Sequence, residues 1–184
     1  MSPDLARRVE KLEASRALAL SLLDPHDCEA LNRPPAPGRW SALQVLHHVV
    51  ESEAKTLGYV RKKMQAGASL PPAGLASRLR RTAVVLTLAS PLRVRAPASA
   101  ASVPDEIDPA ALRARWETVR HDLRALLDGF PPELERRLVF RHPVAGRMGL
   151  ADALAVLQAH LDHHVRQVRR AVDPSPSGAG RSSR

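Results

Sequence analysis

Histidine is the residue type whose spacing in this sequence points most clearly to chemistry. Five of the eight histidines fall in two clusters, LHHVV at residues 46–50 and AHLDHHVRQ at residues 159–167. His160 and His164 are four residues apart, so on a helix their rings project from one face, a spacing that can chelate a single metal ion. A shared hydrogen-bond network would also satisfy two inward-facing imidazoles, so the spacing alone leaves both interpretations open.

A third imidazole would have to come from the other cluster. His47 and His48 are about 100° apart on a helix and cannot both point at one ion. Both flank a polar edge formed by Gln44, Glu51 and Lys55, and His48 lies slightly nearer to that edge. Helical periodicity therefore does not decide between the two histidines.

Polar residues close to the two clusters are candidates for supporting roles. Glu51 could orient the ring of His48 as a hydrogen-bond acceptor, although pairing with a surface lysine or arginine is the simpler interpretation. Glu53 lies on the apolar side of the same predicted helix, an unusual place for a carboxylate, and is the candidate general base. In the second cluster, His163 could contact the site or reach solvent. Gln167 could hydrogen-bond near the site or be an ordinary surface residue.

Four amphipathic segments are available to position these side chains. They are predicted to form helices at residues 4–23, 41–67, 108–129 and 150–171. Apolar residues make up 44% of the chain, mostly Leu, Ala and Val, while aromatic residues make up only 3%, which favours helices over a sheet. The sequence thus predicts an all-α four-helix bundle as one domain, residues 1–172, followed by a disordered polar tail, residues 173–184.

Capping residues indicate where the two central helices begin. Ser41 is a good N-cap for the second helix, and Asp108-Pro109 places a capping residue before a proline at the first helical position of the third. The connection between these helices, residues 67–108, is far longer than the others and contains a short predicted helix near residues 75–88. Because such a crossover can run the length of a bundle, the second and third helices need not be antiparallel neighbours.

Composition and charge argue against several classes of protein. The single cysteine, Cys28, excludes an internal disulfide framework and a zinc site built on several thiolates. The first residues lack the apolar core of a secretory signal, and the longest apolar stretch, residues 82–92, is too short to span a bilayer, so we expect a cytoplasmic protein without a membrane partner. The net charge of +9 raises nucleic-acid binding, but no aromatic residues are interleaved with the basic clusters, which favours a solvated arginine-rich surface.

Two blocks of sequence resemble the DinB/YfiT-like superfamily of metal-dependent hydrolases and thiol transferases. In that family a Trp-Ser or Trp-Thr opens the second helix and a metal-binding histidine follows eight positions after the tryptophan; in WSALQVLHHVVESE, which begins at Trp40, that position is His48. The block RHPVAGRMGLADALAVLQAHLDHHVRQV is similar to the family's closing His-Pro turn and H-x-x-H-H helix, whose ligands correspond to His160 and His164. RWETVRHDLRALL resembles its third helix, whereas residues 67–108 match no family motif.

The resemblance implies one divalent metal ion, zinc or nickel, held by three histidines with a coordination position left open. An ion in such a site can lower the pKa of a bound water or deprotonate a bound thiol. The double histidine is typical of the branch of bacillithiol S-transferases, which favours transfer of a small-molecule thiol to an electrophile over hydrolysis. The competing hypothesis is a non-catalytic, stress-associated metal-binding bundle that acts by association. The resemblance also suggests a homodimer.

Overall fold

The computed structural model describes residues 1–90 and 103–173. These residues form six α-helices and one β-hairpin, with short 3-10 turns at Gly67–Ser69 and Pro132–Leu134. In chain order, the elements are α1 (Pro3–Ser21), α2 (Cys28–Asn32), α3 (Ala42–Met64), α4 (Leu75–Ala89), α5 (Pro109–Asp128), β1 (Phe140–His142), β2 (Gly146–Met148) and α6 (Leu150–Val172).

The predicted all-α bundle is confirmed, with α1, α3, α5 and α6 as its four long helices and α4 as the predicted short one. The apolar stripes predicted for α5 and α6 are buried along their whole length. The second helix ends earlier than expected, at Met64 rather than near residue 67. Gly67 instead has a left-handed φ of 55° and opens the following 3-10 turn, a conformation that glycine adopts without strain.

Both predicted N-caps are present and fix the starts of α3 and α5. Ser41 forms a capping box in which its hydroxyl accepts the backbone N–H of Gln44 at 3.2 Å, while the Gln44 side chain accepts the N–H of Ser41 at 3.0 Å. The Asp108 carboxylate accepts the N–H of Ala110 at 2.9 Å. Because the cap fixes where α3 begins, and His48 lies about two turns further on, it helps to fix the side of the helix on which that ring lies.

The helices pack in the order α1, α6, α3, α5, and α4 lies outside this group against α6 and β2. Two ion pairs show the relative direction of α3 and α5. Glu51 pairs with Arg115, and further along both helices Arg61 pairs with Asp122. Residue numbers increase together along both helices, so α3 and α5 are parallel neighbours. The long crossover between them makes this possible, and the expectation that they need not be antiparallel is confirmed.

The β-hairpin between α5 and α6 was not predicted beyond a His142-Pro143 turn. Nδ1 of His142 accepts the backbone N–H groups of Val144 and Ala145 at 3.3 and 3.1 Å, which closes that turn. Three-residue strands are too short to show a periodic pattern, so this hairpin has no recognisable sequence signal.

Two expectations fall largely outside the part of the chain that the structure describes. These are the polar tail at residues 173–184, of which only Asp173 is described, and the later part of the connection at residues 67–108, of which residues 91–102 are not described. Among the described helices, none combines the length and apolar content that crossing a bilayer would require.

Candidate metal centre

Three histidines from two helices converge between α3 and α6. One ring nitrogen from each of His48, His160 and His164 lies within 4.8 Å of the other two. The ring of His48 is 5.3 Å from that of His160 and 5.1 Å from that of His164, centroid to centroid. The structure therefore brings together the three residues predicted as ligands, and it selects His48 over His47. In the described part of the chain, no Asp, Glu or Cys joins this group.

The spacing of the ring nitrogens fits a single ion. The Nε2 atoms of His160 and His164 are 3.1 Å apart. Two nitrogens bound at about 2.0–2.1 Å to a tetrahedral zinc ion would be roughly 3.3 Å apart, so these two need almost no movement. A hydrogen bond between two neutral imidazoles would explain the same distance, but it would not explain why a ring nitrogen of His48 converges on the same point.

Gln167 fixes the orientation of one of these rings. Its Oε1 accepts a hydrogen bond from Nδ1 of His164 at 2.9 Å, one turn further along α6. With the proton held on Nδ1, the lone pair of Nε2 in the neutral ring points toward the other two histidines. Of the two alternatives predicted for Gln167, the structure shows a hydrogen bond near the site, and its partner is His164.

We expect Gln167→Ala to weaken metal binding by about 10–100-fold, because residues that orient a histidine ligand typically contribute that much. The His164 ring would then be free to rotate or to adopt the other tautomer. Competition with a chromogenic chelator measures this change. Gln158→Ala is a control on the same helix, since Gln158 bonds to Ser15 and Asp162 and not to the histidines; an equal loss of affinity in both variants would contradict the assignment.

Two aromatic side chains flank the cluster. The ring of Trp40 lies 5.3 Å from that of His48, a contact that the sequence does not predict. His163 lies 5.2 Å from His164, with the two rings perpendicular, and its Nδ1 donates to the carbonyl of Leu88 at 3.0 Å. His163 therefore contacts the site, as one of the two alternatives predicted, but it connects α6 to α4 and does not join the group of converging nitrogens.

Burial keeps all three imidazoles in the form that binds metal. It lowers the pKa of His160 to about 3, with further lowering from the nearby His48 and His163. The pKa of His164 is lowered for the same first reason and by His160, and that of His48 by burial and by the positive charge of Lys55. The rings are therefore neutral at pH 7, with lone pairs available to a cation.

These lowered pKa values predict that the metal-free protein loses stability in mild acid. Unfolded histidine takes up a proton near pH 6.5, whereas folded His160 does so only near pH 3, so stability falls as pH drops below 6.5. From pH 7.5 to 5.0 His160 alone would remove about 2 kcal/mol from the free energy of unfolding. Urea titrations of chelator-treated protein test this, and His160→Ala should show a shallower dependence; a parallel dependence in both proteins would contradict the assigned burial.

The candidate base Glu53 is not at the cluster, contrary to the sequence-based hypothesis. It is buried between α3 and α5, where Oε2 accepts from the Trp116 indole N–H and Oε1 from the Arg120 guanidinium, both at 2.9 Å. Its position on the apolar side of α3 is thus explained by an interior ion pair. Glu51 pairs with Arg115 at 3.2 Å on the surface, as the simpler interpretation predicted, instead of orienting His48.

Comparisons with known proteins agree with this fold. The family model of the DinB superfamily matches residues 11–168, a span that includes all three converging histidines. The fold is similar to that of YfiT from Bacillus subtilis, with a TM-score of 0.59 and 20% identity, over 93% of this chain and 87% of that one. YfiT is described as a probable metal-dependent hydrolase with an unusual four-helix bundle topology. No curated protein shows significant sequence similarity to this chain. The chain belongs to the DinB superfamily.

Proposed function

We propose that this chain is a metal-dependent enzyme that transfers a small-molecule thiol to an electrophile. The observation behind the proposal is the convergence of His48 with His160 and His164 from two separate helices. Three neutral imidazoles suit zinc or nickel, and such an ion, when bound, supplies an open position at which a thiol or water becomes a nucleophile near neutral pH.

The surroundings of the histidines favour a thiol over water as the nucleophile. A thiolate is already a strong nucleophile and needs few further residues once it is deprotonated. Hydrolysis commonly uses a nearby carboxylate as general base, and both sequence candidates, Glu51 and Glu53, are engaged with arginines elsewhere. The double histidine, which is typical of the branch that resembles bacillithiol S-transferases, supports the same choice.

The chain's own residues would orient the ligands and shield the site. Gln167 holds His164 in one tautomer, and His163 fixes α6 against the last turn of α4. Trp40 covers one side of His48 with apolar surface, which limits access of water to that ring. The contacts of Gln167 and His163 keep the ring nitrogens in place before a reactant arrives, which reduces the reorganisation needed during the reaction.

Hydrolysis is the second candidate, supported by the description of YfiT as a probable metal-dependent hydrolase. The two activities are separated by their requirements. A thiol transferase consumes an electrophile such as chlorodinitrobenzene only when both metal and thiol are present, whereas a hydrolase cleaves activated esters or amides without thiol.

Rates of both reactions, measured on metal-loaded protein, on chelator-treated protein and on His160→Ala, test the proposal. We expect thiol-dependent consumption that falls at least tenfold on metal removal and in the variant, with His47→Ala unaffected. Thiol-independent cleavage with the same metal dependence would favour the hydrolase. A metal-loaded protein inactive in both assays with a range of thiols would favour the non-catalytic, stress-associated bundle.

A further inference from the structure

Helix α4 has apolar residues on the side that faces solvent as well as on the side that faces the bundle. Its inner side packs on α6 through the buried Ser77 and the partly buried Val84. On its outer side Leu75, Leu79 and Leu86 are 72%, 62% and 65% exposed. Their spacing of four and seven residues places all three on one face. Leucines rarely remain this exposed together unless the surface binds a partner.

The outer face of α4 is free of charge along its length. At 100° per residue, the three leucines fall with Thr82 and Ala83 within an arc of about 100°, the width of stripe that a surface helix normally buries. Arg78 lies at one edge of this arc and Arg80 beyond the other. The result is an uncharged strip bordered by cations.

The neighbouring hairpin extends this surface with the same character. It is joined to α4 by a hydrogen bond from Arg80 to the carbonyl of Arg147 at 3.1 Å. Val144 in its turn is 88% exposed, and Arg141 and Arg147 are exposed on its strands. Neither α4 nor residues 140–148 contain an Asp or Glu. The exposed residues of these two adjacent elements are therefore apolar and cationic.

We propose that the outer face of α4 and the adjoining hairpin dock this protein on an anionic lipid surface. The leucines would enter the boundary between headgroups and acyl chains, and Arg78, Arg141 and Arg147 would lie among the lipid phosphates. The helix would lie along the membrane and not cross it, so the proposal departs from the sequence-based expectation of no membrane partner while agreeing that no described helix could span one. A second copy is a poorer occupant, because a symmetric contact would bring these arginines from both copies together without any carboxylate to offset them.

Contacts at both ends of α4 hold the docking face rigid. Near its start, Ser77 donates to Asp152 of α6 and accepts the N–H of Gly149 at 3.0 Å. Near its end, the carbonyl of Leu88 accepts from His163 at 3.0 Å and from Arg166 at 2.8 Å. Because the helix is already ordered, binding a membrane would not require the folding of this segment.

Sedimentation of the full chain with phosphatidylcholine vesicles, with and without phosphatidylglycerol, tests the proposal. We expect binding to the mixed vesicles only, weakened by salt. Combined Leu75→Gln, Leu79→Gln and Leu86→Gln should reduce the partition coefficient at least tenfold, while Leu18→Gln, at a leucine 44% exposed on α1, should not. Arg78→Gln with Arg147→Gln should lower it by roughly fivefold per arginine, whereas Arg7→Gln with Arg33→Gln should have a smaller effect.

Three results would overturn the proposal. One is equal binding to neutral and anionic vesicles, or none to either. Another is an unchanged partition coefficient in the triple leucine variant, with its fold verified by circular dichroism. The third is a dimer, seen by sedimentation velocity without lipid, that the triple variant dissociates; the leucine face would then belong to a second copy. None of these results bears on the histidine site.

Discussion

Replacing His160 with alanine is expected to reduce the metal content of the purified protein from about one ion per chain to background. Nε2 of His160 lies 3.1 Å from Nε2 of His164, and the ring of His160 also contacts that of His48. Residues that merely orient a ligand contribute about 10–100-fold to affinity, so loss of a ligand should exceed about 100-fold. Elemental analysis after dialysis against a weak chelator measures the result.

His47→Ala is the matched control for this experiment. His47 is the immediate neighbour of His48 on α3 and is partly buried like it, but it is not among the converging nitrogens. We expect His48→Ala to lose metal and His47→Ala to retain it. Retention in His160→Ala and His48→Ala, or an equal loss in His47→Ala, would show that metal binds elsewhere.

Replacing Glu53 with glutamine is expected to lower the free energy of unfolding by about 3–5 kcal/mol, the usual effect of removing one partner of a buried ion pair. The Glu53 and Arg120 side chains are only 4% and 1% exposed. Burial raises the pKa of Glu53 and lowers that of Arg120, so each charge depends on the other to remain in the interior. Without the carboxylate, the Arg120 guanidinium would lose its ion pair at 2.9 Å and keep only the longer one to Glu13 at 3.7 Å. Urea denaturation measures the change.

Glu51→Gln is the corresponding control, because Glu51 pairs with an arginine on the surface of the same two helices. Its loss should cost no more than about 1 kcal/mol. Folded Glu53→Gln should bind metal as the unchanged protein does, since Glu53 lies away from the histidines. A variant of full stability that had lost its activity would instead place Glu53 in the reaction.

The apolar periodicity of the sequence predicted the long helices. It also predicted the inward direction of His160 and His164, because the apolar residues of α6 form a single stripe that includes them. It could not decide between His47 and His48. Helix α3 packs on α5 and α6 together, so Val45, Leu46, Val49 and Val50 are all buried. The remaining polar edge is flanked by both His47 and His48, so it does not mark which of the two faces the site. Only the resemblance to a known family indicated His48.

The partners of Glu53 could not be predicted from the sequence for a similar reason. A carboxylate on an apolar helix face can be a catalytic group or one half of a buried ion pair. Only the identity of its partner distinguishes these roles, and that partner can be distant in sequence. Trp116 and Arg120 are 63 and 67 residues away, and they meet Glu53 only because α3 and α5 are parallel neighbours. Local sequence likewise does not show that Trp40, which precedes the Ser41 cap, packs against the ring of His48.

The most direct test of the three-histidine site is anomalous diffraction from crystals of the protein loaded with zinc, recorded on both sides of the zinc absorption edge. We predict one peak per chain between α3 and α6, at about 2.0–2.1 Å from a ring nitrogen of His48, His160 and His164. A zinc peak bound to other side chains would contradict it. So would crystals soaked in saturating zinc in which the three rings are ordered, hydrogen-bond to one another and have no peak between them.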